Sequence, residues 1–124
     1  MIRILLAEDD DAMRNYLALA LENSGYEVDA VGTGLDAVPL LEDSDYDLLL
    51  SDIVMPGMDG IELAQRCAEI SPRTNIIFIT GFAAVAMRGS REQPYSKILS
   101  KPFHLRELVR EIEALFDTQI SIKV

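Results

Sequence analysis

Asp47-Leu48-Leu49-Leu50-Ser51 runs apolar through its middle without polar alternation, then gives way to Asp52 and a loop that Pro56, Gly57 and Gly60 punctuate. A strand of that pattern is covered on both faces, as in a parallel sheet. Two further runs share it: Ile2 to Ala7, followed by Glu8-Asp9-Asp10-Asp11, and Asn75 to Thr80, Asn-Ile-Ile-Phe-Ile-Thr. Lys97 to Ser100 is a briefer apolar run, and Glu27 to Val31 alternates like a more exposed strand. Helices fill the intervals. Met13, Tyr16, Leu17, Ala20 and Leu21 mark one helical face, stopped by Ser24 and Gly25. Leu35 to Leu41 reads as a short helix with Pro39 in its first turn, and Ile61 to Ile70 as another. Leu105, Leu108, Val109, Ile112, Leu115 and Phe116 keep unbroken helical spacing. Five strands alternating with helices predict an α/β fold, a parallel sheet with helices on both faces, because right-handed crossovers place a helix against the sheet after each strand.

The 124 residues are 49% apolar and carry a net charge of −10. A chain of this size buries roughly two-thirds of its unfolded surface and needs no disulfide or structural metal to hold a core. Cys67, the only cysteine, excludes an internal disulfide framework and fits a reducing compartment. No secretion signal and no apolar run of membrane-spanning length is present, so a cytoplasmic protein is expected. The negative charge repels phosphate backbones and anionic lipid, which argues against nucleic acid or membrane as the main partner. The charge is uneven: residues 1–62 hold 15 acids and two bases, residues 63–124 six acids and nine bases.

In open parallel sheets the ligand site lies outside the carboxyl ends of the strands. There the chain places Glu8 and Asp9 after the first strand, Asp52 after the third, Thr80 at the end of the fourth and Lys101 after the fifth. Carboxylates converging at one rim repel one another unless a cation sits among them, and oxygen donors select a hard ion such as Mg²⁺. A lysine and a hydroxyl beside such a cluster complete a phosphoryl-transfer set whose nucleophile is a carboxylate. Asp10 and Asp11 have a plainer reading, as the N-cap and first-turn acid of the helix that follows.

These residues carry a resemblance. Leu-Leu-Ala-Glu-Asp-Asp (5–10), Leu-Leu-Ser-Asp-Ile-Val-Met-Pro-Gly-Met-Asp-Gly (49–60), Ile-Thr-Gly (79–81) and Ser-Lys-Pro-Phe (100–103) together resemble a response-regulator receiver domain of two-component signalling. The resemblance implies a doubly wound five-stranded sheet of order 2-1-3-4-5, of the flavodoxin or CheY-like kind. It implies that Asp52 accepts a phosphoryl group, that Glu8, Asp9, Asp52 and the Val54 backbone carbonyl hold Mg²⁺, and that Thr80 and Lys101 contact the phosphoryl oxygens. A histidine kinase or histidine phosphotransferase would be the donor. The domain is expected to span 1–117, with 118–124 a C-terminal tail and no effector domain. Such a domain is a signalling module that catalyses only its own phosphorylation.

Thr-Gly-Phe-Ala-Ala-Val-Ala (80–86) and Leu-Ser-Lys-Pro-Phe-His-Leu-Arg-Glu-Leu (99–108) are further similar to the CpdR group of single-domain cell-cycle regulators. That likeness implies an output through the ClpXP protease, engaged by the unphosphorylated form.

Several positions depart from the receiver pattern. Ile98 stands where receivers usually carry an aromatic switch residue, with Tyr95 nearby. Gly89-Ser90 and Pro94 interrupt residues 82–96, so only Phe82 to Arg88 reads as helix. Val54 and Phe82, two positions after Asp52 and Thr80, are apolar and cannot orient an attacking water, which predicts slow hydrolysis of the aspartyl phosphate. Arg88, Arg91, Lys97, Arg106 and Arg110 put the basic surplus on the usual partner face of receivers. His104 reads as a helix-start residue. Two other classes remain as alternatives. One is a haloacid-dehalogenase-type phosphatase, suggested by Asp9-x-Asp11 but lacking an acidic pair after Lys101 and room for a cap domain. The other is an adaptor that is not phosphorylated.

Overall fold

A computed structural model describes residues 1–80, 97–100 and 104–121. Among them lie five strands, β1 (Arg3–Ala7), β2 (Glu27–Val31), β3 (Leu48–Asp52), β4 (Asn75–Thr80) and β5 (Lys97–Ser100). Four helices accompany them: α1 (Asp11–Asn23), α2 (Gly34–Asp43), α3 (Gly60–Ile70) and α4 (Leu105–Ser121). The strands form one sheet of order β2-β1-β3-β4-β5, every pairing parallel. This is the doubly wound architecture that the strand and helix alternation and the receiver resemblance imply.

Pleat alternation divides the core in two. Leu5, Ala7, Leu49, Ile76 and Phe78 pack on one face against Ala37 and Leu41 of α2 and Leu63, Ala64 and Cys67 of α3. Ile4, Leu6, Leu48, Leu50, Ile77 and Ile79 pack on the other against Leu17 and Leu21 of α1 and Leu108, Ile112 and Phe116 of α4. Buried on both faces, β1 and β3 have no place for polar alternation, which is why both read as continuous apolar runs. Strand β2 closes the sheet and is half-exposed, in keeping with its alternating sequence.

Local chemistry sets the helix ends. Asp10 accepts from the Met13 N–H at 2.9 Å, Thr33 from Asp36 at 3.0 Å and Asp59 from Glu62 at 2.8 Å, each capping the helix that follows. Helix α1 ends in a Schellman turn: Tyr26 N–H bonds the Leu21 carbonyl, Gly25 N–H bonds the Glu22 carbonyl, and Gly25 takes φ +99°. The His104 carbonyl accepts from the Glu107 N–H at 2.9 Å, which places it at the start of α4 as expected.

Three details differ from the sequence reading. Helix α2 starts at Gly34 because Thr33 caps it, so Pro39 occupies the sixth helical position rather than the first turn. The acceptor that Pro39 leaves unserved belongs to Leu35, which is 62% exposed, so water can reach that residue. In α1 only Leu17 and Leu21 are fully covered, while Tyr16 turns outward at 58% exposure. Helix α4 runs on through Ser121, beyond Phe116, the last position of the helical spacing read from the sequence.

Candidate functional site

Glu8, Asp9 and Asp52 come together. One carboxylate oxygen from each lies within 4.8 Å of the other two, at the carboxyl end of the sheet. Register brings them there: Ala7 of β1 pairs with Ser51 of β3, so the next residues of the two strands, Glu8 and Asp52, stand side by side. Glu8 is completely buried and Asp52 nearly so, whereas Asp9 is exposed. At 4.8 Å two unit charges repel by about 3 kcal/mol in a medium of effective dielectric near 20. A divalent cation among them turns that repulsion into attraction, and an all-oxygen donor set matches a hard ion such as Mg²⁺.

The backbone frames these side chains closely. The Val54 N–H donates to Asp52 Oδ1 at 3.2 Å, and the Ser51 hydroxyl donates to the Asp52 carbonyl at 2.8 Å. The Gly60 N–H bonds the Ile53 carbonyl at 2.8 Å, drawing the start of α3 against the end of β3. Contact there is so close that a Cβ on residue 60 would collide with the Asp52 carbonyl. Gly57 turns the intervening loop at φ +79°. The Val54 side chain stands at the rim, 55% exposed.

On the opposite side, Glu8 N–H donates to the Val31 carbonyl at 3.1 Å, and Glu8 Oε2 accepts from the Asp10 N–H at 3.2 Å. Asp10 and Asp11 have the structural roles read from the sequence. Asp10 caps α1, and Asp11 pairs with Arg14 at 2.6 Å. Asp11 thus faces Arg14 and not the three-acid cluster, which weighs against the Asp-x-Asp phosphatase reading.

Thr80 ends β4, where Asp52 pairs with Ile79, and Thr80 itself pairs with Ser100 of β5. The carboxyl ends of β1, β3, β4 and β5 therefore share one rim. Lys101, which follows Ser100, lies outside the described residues, as do Phe82, Arg88, Arg91, Tyr95 and the helix expected over 82–88. Ile98 pairs with Phe78 and Lys97 with Ile77. Arg106 and Arg110 are exposed one turn apart near the start of α4. Arg14 was missed by sequence reasoning. The available signal was its isolation, since it and Arg3 are the only bases in the first 62 residues.

The chain belongs to the response regulator receiver domain family, whose model matches residues 4–113. It is 56% identical over 116 residues to the response regulator receiver protein CpdR of Brucella abortus, an alignment covering 93% of this chain and 97% of that one. Among solved structures it is similar to a CheY-like receiver domain protein from Methanospirillum hungatei, with TM-score 0.90 and 30% identity, covering 98% of each chain. It is also similar to the response regulator TrrA of Thermotoga maritima in complex with Mg²⁺ and BeF, with TM-score 0.82 and 30% identity, covering 93% of this chain and 99% of that one. The chain spans about half the length of the transcriptional regulators that it also matches, and 13% of a sensor kinase. No helix among the described residues is long and apolar enough to cross a membrane.

Proposed function

We propose that this protein is a single-domain response regulator in which Asp52 is phosphorylated by a histidine kinase or histidine phosphotransferase. The observation that carries the reading is the meeting of Glu8, Asp9 and Asp52 at the carboxyl end of the sheet. These acids, with the Val54 backbone carbonyl, would hold Mg²⁺, which when bound supplies positive charge to offset the phosphoryl oxygens. An Asp52 carboxylate oxygen attacks the phosphorus of a phosphohistidine. The new P–O bond forms as the P–N bond breaks, and the imidazole leaves with the bonding pair. The Val54 N–H at Asp52 Oδ1 holds the carboxylate in orientation for that attack. Thr80 and Lys101 take the roles their positions have in receivers, one donating to the phosphoryl group and the other pairing with it.

The output is a protein-binding surface that phosphorylation redraws, on the side bearing Lys97, Ile98, Arg106 and Arg110. The 56% identity to CpdR supports engagement of the ClpXP machinery by the unphosphorylated form as that output, in the cytoplasm. The test is exposure to Mg²⁺ with acetyl phosphate, read by phosphate-affinity electrophoresis, and to Mg²⁺ with beryllofluoride, read by amide chemical shifts. The wild type should shift in both, and Asp52→Ala in neither. An unmodified wild type, or an Asp52→Ala variant that is still modified, would overturn the reading. A pull-down comparing Asp52→Ala with phosphorylated wild type then tests the ClpXP output, which requires the protease to follow the unphosphorylated form.

A further inference from the structure

Two arginines are the only bases in the acid-rich first half. Arg3 opens β1 at the far end of the sheet, and Arg14 stands in α1 beside the acids. The Arg14 side chain is only 21% exposed, and its guanidinium is held at two points. Nη1 donates to the Glu8 carbonyl oxygen at 2.9 Å, and Nη2 donates to Asp11 Oδ1 at 2.6 Å. Gly32, at the turn between β2 and α2, lies against it: a Cβ there would fall 3.1 Å from Nη1 and 3.7 Å from the guanidinium carbon. The Glu8 peptide is thereby fastened from both sides, its N–H on Val31 and its carbonyl on Arg14, while its carboxylate accepts from Asp10.

We propose that Arg14 is a positioning residue for Glu8 and Asp9, and that Gly32 is the socket that lets its guanidinium reach the Glu8 carbonyl. The inference rests on the reading above, in which these acids hold a divalent cation. A planar fork suits this place, since one arm must serve a carbonyl and the other a carboxylate, which an ammonium on a flexible stem does not reproduce. Residues that orient metal ligands without touching the metal typically change affinity 10–100-fold when removed.

The sign of the effect separates positioning from simple charge. Arg14 is a cation near an acidic cluster, and deleting it also frees Asp11. Electrostatics alone therefore makes Arg14→Ala bind Mg²⁺ more tightly. Loss of positioning makes it bind more weakly. Mg²⁺ affinity is measured by calorimetric titration of the whole protein, with thermal unfolding alongside. The expected result is a loss of about tenfold or more in Arg14→Ala, little recovery in Arg14→Lys, and a smaller loss in Gly32→Ala, which keeps every charge and carries the test if Arg14→Ala does not fold. Unchanged or tighter binding in Arg14→Ala or Gly32→Ala, or full recovery by lysine, would overturn the proposal alone. A wild type that takes up no Mg²⁺ would overturn it together with the reading on which it rests.

Discussion

Replacing Gly60 with alanine tests how closely the end of β3 and the start of α3 are joined. The added carbon would lie 2.8 Å from the Ile53 Cα and 2.9 Å from the Asp52 carbonyl carbon, and would press on the Asp52 carbonyl oxygen as well. All three are backbone atoms, so no side chain can rotate out of the way. Restoring an ordinary 3.4 Å separation moves the helix start away from the strand by about 0.6 Å against the Ile53 Cα alone, and further against the oxygen. Overpacking of this kind costs about 3 kcal/mol, and alanine returns up to about 1 kcal/mol over glycine in a helix. The net loss of about 2 kcal/mol corresponds to a fall in Tm of roughly 8 °C for a chain of this length. Circular dichroism melts measure it, and a Mg²⁺ titration followed by amide shifts should weaken in parallel, because Asp52 is the residue displaced. Gly57→Ala is the control. Its Cβ would meet only Leu35 Cδ1 at 3.7 Å, so its cost is that of left-handed backbone, about 1–2 kcal/mol, without displacing the acids. A Gly60→Ala protein melting within about 2 °C of wild type, with an unchanged titration, would refute the reasoning.

Three further outcomes are expected. Thr74→Val removes a buried hydroxyl that donates to the Tyr46 carbonyl at 2.7 Å and bonds Ser71 Oγ at 2.7 Å, and should lower the urea midpoint by the equivalent of about 1–3 kcal/mol with an unchanged m-value. Burial pushes the Cys67 thiol up to about 11, and burial with the hydrogen bond to Asp29 pushes the Tyr46 phenol up to about 12. The unfolded chain therefore releases these protons first, so stability is full below about pH 9 and falls as pH rises through 9–11 for Cys67 and 10–12 for Tyr46; Cys67→Ala should flatten the first window in urea unfolding at stepped pH. The apolar Val54 side chain at the site's rim should give phosphorylated Asp52 a lifetime beyond seconds, measured by loss of the slow band in phosphate-affinity gels, and decay within seconds would contradict it.

Strand composition and helix spacing carried most of the architecture because each reports burial directly. Asn75 to Thr80 and Lys97 to Ser100 match β4 and β5 to the residue, and the three acids were legible because they stand where an apolar run gives out, Glu8 and Asp9 just past β1 and Asp52 as the last residue of β3. Periodicity was less informative where a helix is only half covered. Tyr16 lies beside Leu17 in the α1 pattern, yet successive helical residues are rotated by about 100°, enough to carry Tyr16 off the narrow seam along which the helix meets the sheet. Pro39 misled because the true helix start was set by the Thr33 cap, a side chain-to-backbone bond that leaves little trace in hydrophobic spacing. Arg14 and Gly60 were visible in the sequence, one as an isolated base and the other as a loop glycine, but their contacts were not: hydrophobic spacing says nothing of a guanidinium seated against Gly32 or of a helix start pressed on the Asp52 carbonyl.

Strand β1 is hydrogen-bonded along both edges, to β2 and to β3, and its residues from Ile4 to Ala7 are fully enclosed. Amide protons in such a strand exchange with deuterium only through openings near the global unfolding free energy. Glu8 and Asp9 emerge from the last residue of that strand, so they are mounted on a segment that, like β3 beside it, should exchange slowly. Capture of a cation there, as proposed, would leave its own foundation still, and deuterium labelling with and without Mg²⁺ should register its changes in the outlying, readily opened segments.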